Sequence, residues 1–215
     1  MKITILCSDQ THPVNQYLDY WVAGISQEHK VDVVRRPNCL THGDVLFLVS
    51  CSSMISGNER SRYTHTLVLH ASDLPRGRGW SPHVWDIING AEHITLSLID
   101  AEDRVDTGRI WLQEKIPVAK HMLWDEVNHL LFETEIQLMN RVLNNLATIE
   151  PLPQSSEVDP TYYKKRTPND SQLSVEKTIE QQFDLMRICD PERYPAWFEM
   201  HGQRYKITLE KFQDE

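Results

Sequence analysis

The first 115 residues alternate between short apolar runs and segments in which apolar side chains recur every three or four positions. Short β-branched runs are typical of buried strands, and the wider spacing is typical of amphipathic helices. Strands are predicted at Lys2–Cys7, Lys30–Arg35, Asp44–Ser50, Thr66–His70, His93–Ile99 and Ile110–Lys115. Helices are predicted at Asn15–Gln27 and Trp80–Asn89. This order predicts an α/β fold around a parallel sheet.

The second half of the chain has a different pattern. A long helical period covers His121–Leu146, and a Pro-rich stretch at Glu150–Asp170 predicts a loop or linker. A further helix is predicted at Ser174–Ile188, followed by a hairpin that turns at His201-Gly202. We therefore expect a core over residues 1–150 and a small C-terminal extension of linker, helix and hairpin over residues 151–215.

Charge and cysteine content narrow the function classes. The net charge of −9 disfavours a nucleic-acid partner, because phosphate backbones are bound mainly by Lys and Arg. The first apolar run is too short for a signal peptide, and no run is long enough to span a membrane. The four cysteines show neither zinc-ligand spacing nor pairing, so free thiols and no metal are expected. Together these features predict a cytoplasmic protein without a membrane partner.

Candidate chemistry lies at the end of the fourth predicted strand. That strand ends at His70, and Asp106 follows a later strand in a turn. Ligands of α/β proteins bind at the carboxyl ends of strands, and a carboxylate can orient an imidazole for acid–base work or for stabilising an oxyanion. Residue type and position alone leave a purely structural role open as well.

The surrounding residues add a resemblance. His70–Pro82 (HASDLPRGRGWSP), Trp85, Asn89-Gly90, Ile94–Leu96 and Val105–Gly108 (VDTG) occur in one order. This pattern resembles the 10-formyltetrahydrofolate-dependent formyltransferase family across roughly residues 44–115. The motif is similar to the branch that acts on nucleotide-linked amino sugars, as in the pseudaminic-acid pathway. The resemblance implies a Rossmann-like formyltransferase core.

The same resemblance implies roles for individual residues. His70 would stabilise the oxyanion of formyl transfer, and Asp106 would orient His70. Residues beside the donor, N10-formyltetrahydrofolate, would be Cys51, Met54, Ile55, Asp100, Glu102 and Asp103. Residues beside the acceptor would be Ser72, Arg76, Arg78, Trp80 and Tyr194, although a solvated loop or simple packing also explains the Arg and aromatic positions. The family has an Asn two residues before the His, where this chain has Val68.

The implied function is formyl transfer to the amine of a nucleotide-linked amino sugar such as UDP-4-amino-4,6-dideoxy-N-acetyl-altrosamine. One alternative is a methionyl-tRNA formyltransferase-like enzyme, which the acidic charge and the short C-terminal part disfavour. Another is a catalytically dead folate- or nucleotide-binding protein, suggested by Val68. The long helix and the aromatic tail would suit a homodimer, or they would pack within one chain.

Overall fold

A six-stranded sheet organises the molecule, which a computed structural model describes over residues 1–212. Its strand order is β2-β1-β3-β4-β6-β7. These strands are β1 Lys2–Leu6, β2 Lys30–Val34, β3 Gly43–Leu48, β4 Tyr63–His70, β6 His93–Asp100 and β7 Ile110–Pro117. Two smaller pairs complete the strands: β5 Arg78–Gly79 with β8 Tyr162–Tyr163, and β9 Ala196–Met200 with β10 Gln203–Ile207.

In the part of the chain that the structure describes, five α-helices connect and cover these strands. They are α1 Val14–Ile25, α2 Gly57–Arg60, α3 Pro82–Ile88, α4 Trp124–Asn145 and α5 Ile179–Arg187, with short 3₁₀ turns at Pro37–Cys39 and Pro168–Ser171. Among residues 1–212, no helix combines the length and the apolar composition that a membrane crossing needs.

The α/β fold with a mostly parallel central sheet is confirmed. β2, β1, β3 and β4 run parallel to one another, and β6 runs antiparallel to both β4 and β7, so β7 again has the direction of β4. Strand periodicity fixes which face a residue takes and carries no information on direction, so it could not single out β6 as the reversed strand. The antiparallel pairing places Ser97 directly opposite His70.

The sheet is covered unequally on its two faces. Alternate side chains such as Ile5, Phe47 and Leu67 are completely buried in the main core, together with side chains of α1 and α4. The opposite face holds a smaller cluster that includes Leu6, Leu48 and Ile55. Each fully buried aliphatic side chain stabilises the fold by roughly 1.5–3 kcal/mol. The main core therefore anchors the strands whose ends carry the candidate chemistry.

The long helix α4 supplies much of that main core. Val127, Leu131, Leu138 and Val142 are buried, and they recur at the spacing of one helix face. The apolar face of α4 is thus satisfied within the chain, and the homodimer stays a prediction without support from this helix.

The C-terminal helix begins later than the sequence suggested. α5 starts at Ile179 because Thr178 caps it and Gln181 completes a capping box. Residues 174–177 form a turn instead, closed by the side-chain amide of Gln182. The buried Arg187 then donates to the carbonyls of Ala119 and Met122, which attaches α5 to the segment before α4.

The predicted hairpin forms as β9 and β10, on either side of His201-Gly202. The Pro-rich stretch, in contrast, is more than a connection. It pairs with the core through β5 and β8 and through a bridge between Leu152 and Ile110. The division at residue 150 stays a prediction, but residues 152–163 build part of the site described next.

Candidate active site

His70 is the last residue of β4, a central strand of the sheet. Its side chain and that of Asp106 are each 8% exposed, and His70 Nδ1 lies 3.6 Å from Asp106 Oδ1. On the other side of the ring, Nε2 lies 2.9 Å from the carbonyl oxygen of Gly77. Both neighbours are acceptors: the Gly77 carbonyl lies within hydrogen-bond distance of Nε2, and the Asp106 carboxylate lies within ion-pair distance of Nδ1. The structure thus brings together the two residues that the sequence singled out.

A tight loop holds Asp106 in this position. Asp106 has a φ of 55°, in the left-handed region that Asp tolerates better than most residues. Its Oδ2 accepts a hydrogen bond of 2.8 Å from the backbone N–H of Gly79. Two residues on, a Cβ at Gly108 would lie 1.8 Å from the Asp100 carbonyl oxygen, so only glycine fits there. This loop therefore aims the carboxylate at His70.

Residues Arg76–Gly79, the Arg-Gly loop, face Asp106 and are held by the Pro-rich segment, the stretch Glu150–Asp170. The N–H of Gly77 donates to the Thr161 hydroxyl at 2.8 Å, and that of Trp80 donates to the Tyr163 carbonyl at 3.1 Å. Gly79 has a φ of 98°, and a Cβ there would lie 2.4 Å from the Tyr163 carbonyl oxygen. A side chain at position 79 would push this strand pair apart.

Arg78 has its guanidinium engaged within the protein. It donates to Gln154 Oε1 at 2.6 Å and to the Tyr162 hydroxyl at 3.1 Å. Arg76 is exposed, and Trp80 is 40% exposed with the Lys165 ammonium 4.7 Å from its ring centroid. Of these three residues predicted to lie beside the formyl acceptor, Arg76 and Trp80 therefore have side chains exposed to solvent.

The other predicted acceptor residues have contrasting surroundings. Ser72 is almost fully buried, and its hydroxyl has no hydrogen-bond partner in the described part of the chain. Its carbonyl accepts from the Ser97 hydroxyl at 2.7 Å. Tyr194 is partly exposed, and the buried Arg166 guanidinium lies 5.6 Å from its ring centroid.

The residues predicted to lie beside the formyl donor are on two segments of the chain. Met54 is 61% exposed although it is apolar, whereas Ile55 is buried in the smaller cluster. Cys51 is half-buried, and burial raises the pKa of its thiol. These positions suit packing more than thiol chemistry.

On the second segment, the Asp100 carboxylate accepts from Trp111 Nε1 at 2.7 Å and from Arg109 Nε at 3.0 Å. Asp103 is exposed and pairs with Arg60. Asp100 and Glu102 line an open cleft of about 310 Å³ with Arg60, Tyr63, Thr66 and Arg109.

Val68 lies in an apolar environment. It pairs across the sheet with Leu48 and Ile99 and packs against the smaller cluster. No side-chain amide stands at this position, so His70 and Asp106 form the candidate pair without it.

Three residues that support the site have no local signal in the sequence. Gln154, Thr161 and Tyr163 lie in the Pro-rich stretch, where composition indicates only a loop, and their contacts are with residues far away in the chain. His83 is also half-buried, and its Nδ1 has no hydrogen-bond partner within residues 1–212. Burial, reinforced by the positive charge of Arg166, lowers the pKa of His83 to about 4, so it is neutral at pH 7.

The described residues lack the kind of ligand set that a metal ion needs. Within residues 1–212, no group of three or more His, Cys, Asp or Glu side chains is placed to hold a metal ion.

Comparisons with known proteins address the same region. A family model described as Formyl transferase matches residues 26–143, which is more than half of the chain and includes both His70 and Asp106.

Solved structures match nearly the whole chain. A methionyl-tRNA formyltransferase from Clostridium thermocellum has a TM-score of 0.84 and 19% identity, covering 99% of this chain and 94% of that chain. A sugar N-formyltransferase from Shewanella sp has a TM-score of 0.75 and 16% identity, covering 100% and 99%. HypX from Aquifex aeolicus in complex with tetrahydrofolic acid has a TM-score of 0.80 and 17% identity, covering 97% of this chain and 37% of that chain. At these identities the likeness shows a shared fold.

Proposed function

The chain belongs to the formyl transferase family, and from this we propose that it transfers a formyl group from N10-formyltetrahydrofolate to the primary amine of a nucleotide-linked amino sugar. The observation that carries the proposal is the buried His70–Asp106 pair at the end of a central strand. A 4-amino-4,6-dideoxy sugar linked to UDP is the acceptor that the HASDLPRGRGWSP motif favours.

The donor would bind beside the two predicted donor segments. The exposed Met54 offers an apolar wall for a flat ring. The bound donor would supply the formyl carbon that the acceptor amine attacks, with negative charge developing on the formyl oxygen.

His70 would stabilise that developing charge. Its Nε2 would donate to the formyl oxygen and afterwards help to protonate the departing nitrogen. In the structure Nε2 faces the Gly77 carbonyl at 2.9 Å, so the substrate oxygen would take the place of this carbonyl. Gly77 belongs to the Arg-Gly loop, so this loop would have to move before His70 Nε2 could donate to the substrate oxygen.

Asp106 would keep the imidazole oriented. Because Oδ2 is held by the Gly79 N–H, Oδ1 is the oxygen left to face His70 Nδ1. The carboxylate would hold the imidazole with its Nε2 directed at the substrate oxygen.

The acceptor class rests on charge and exposed groups. Arg76 and Trp80 are the exposed candidates for a diphosphate and a base, because Arg suits phosphate and an aromatic ring suits stacking. The net charge of −9 disfavours tRNA. Length does not separate the two acceptors, since the matched methionyl-tRNA formyltransferase structure is almost as short as this chain.

The experiment is a mass-spectrometric assay of formyl transfer. The protein is incubated with N10-formyltetrahydrofolate and either a panel of UDP- and TDP-linked amino sugars or initiator methionyl-tRNA. We expect the mass of a formyl group on a 4-amino sugar, and a loss of roughly 10²–10⁴-fold in turnover for His70→Asn. Transfer to the tRNA alone would overturn the acceptor class. Donor binding without transfer to any acceptor would support the dead-enzyme alternative raised by Val68.

A further inference from the structure

The Pro-rich segment crosses both loops of the candidate site. At its start, Leu152 exchanges two backbone hydrogen bonds with Ile110, of 2.7 and 2.9 Å. At its end, Tyr162 and Tyr163 pair with Arg78 and Gly79. The residues in between are therefore fixed to the Asp106 loop on one side and to the Arg-Gly loop on the other.

Gln154 lies between these two attachments and bonds to both loops. Its Nε2 donates to the carbonyls of Asp106 at 2.8 Å and of Gly108 at 2.9 Å. Its Oε1 accepts from Arg78 Nη2 at 2.6 Å. The Gln154 amide thus donates both of its N–H hydrogens to the Asp106 loop and accepts one hydrogen bond from the Arg-Gly loop.

These bonds close a ring through Asp106. From the Gln154 amide the ring passes to the Asp106 backbone, through its carboxylate to the N–H of Gly79, and through Arg78 back to Gln154. The Asp106 backbone is in the left-handed region, a sparsely populated conformation that persists where the surrounding structure holds it. The ring determines where the carboxylate lies relative to His70.

We infer that Gln154 is a positioning residue for the His70–Asp106 pair, and that Arg78 acts with it inside the protein. This inference rests on the proposed function for its kinetic part. A glutamine is required because a glutamate would place a carboxylate against two carbonyl oxygens, and a leucine would leave those carbonyls and the Arg78 guanidinium without this partner.

The chain contains a matched control for this residue. Gln182 makes the same kinds of bond, accepting from the Ser174 N–H and donating to the carbonyls of Ser174 and Lys177, at 3.0 to 3.3 Å. Its bonds close a surface turn before α5. Gln154→Leu and Gln182→Leu therefore each remove one accepted and two donated hydrogen bonds, one set beside the candidate pair and one set elsewhere.

The experiment compares both variants with the wild-type protein by steady-state kinetics and by ¹⁵N NMR of the His70 imidazole. For Gln154→Leu we expect kcat to fall by up to about 100-fold with a much smaller change in KM, because a misplaced group costs rate more than binding. The His70 ring nitrogen shifts should change as well. Gln182→Leu should retain the wild-type kcat and the wild-type His70 shifts.

Each outcome decides the inference. Wild-type kcat and His70 shifts in a folded Gln154→Leu protein would overturn it, as would equal losses in both variants, which would indicate a general loss of stability. If Gln154→Leu does not fold, Gln154→Asn takes its place, since it keeps the amide and is one methylene shorter. If the wild-type protein transfers no formyl group, the proposed function fails, while the His70 shifts still decide the role of Gln154.

Discussion

Two buried carboxyl groups in this molecule have opposite surroundings. The Asp106 side chain is 8% exposed, and its oxygens face the Gly79 N–H and the His70 ring. Glu135, on α4, is 5% exposed, and its Oε2 has no hydrogen-bond partner within residues 1–212. Burial alone raises the pKa of Glu135 to about 8. Burial without a donor therefore leaves Glu135 protonated at neutral pH, whereas Asp106 has a backbone N–H and the His70 ring beside it.

The difference comes from the elements that carry the two acids. Asp106 lies in a loop whose neighbours present backbone N–H groups, whereas Glu135 lies within a helix whose backbone donors are already used. Burial of a carboxyl is thus weak evidence for function, and the donors that surround it are the stronger evidence. The predictions below test this contrast.

The largest expected effect is on turnover. Asp106→Asn keeps the shape of the side chain but removes the charge that faces His70, so kcat should fall by roughly 10²–10⁴-fold. Glu135→Gln should keep wild-type kcat, because Glu135 touches neither loop of the site. Steady-state formyl transfer measures both, and a similar loss in the two variants would contradict the contrast.

The next effect is on stability. The unfolded Glu135 ionises near its model value of 4.5, whereas the folded residue keeps its proton up to about pH 8. Between these values the native state binds more protons, so the free energy of unfolding should fall as pH rises, by at most about 1.4 kcal/mol per pH unit. Glu135→Gln should lose this slope. Urea denaturation at several pH values measures it, and parallel curves for the two proteins would refute the assignment.

The smallest effect concerns the hydrogen bond from Gly77 to Thr161, which holds the Arg-Gly loop beside His70 and Asp106. Thr161→Val removes the hydroxyl that accepts the Gly77 N–H, at a cost of about 1 kcal/mol in stability. Because Gly77 also faces His70, kcat should fall several-fold and the Gly77 amide should exchange faster. Thr178→Val removes a helix cap at a similar cost and should leave kcat unchanged. Equal kcat in both variants would show that this loop support has no part in turnover.

Local pattern was sufficient for much of the fold and for the centre of the site. The apolar runs located the six strands of the sheet. The run that ends at His70 placed that residue at the carboxyl end of its strand. The motif around it indicated Asp106 as its partner, and the structure places the two 3.6 Å apart. These features depend on residues close in sequence or on strand periodicity, which a single sequence displays directly.

Tertiary structure alone decided the remainder. Contacts between segments far apart in the chain decide three features. They are the antiparallel direction of β6, the hydrogen bonds of the Arg78 guanidinium and the hydrogen bonds of the Gln154 amide. A glutamine in a Pro-rich stretch has no local signature, since its amide gains significance only when the chain brings two carbonyls and a guanidinium to it. The sequence by itself determined the strands, the His70 position and the family motif, and the packing of residues 152–163 onto the core decided how that motif is held.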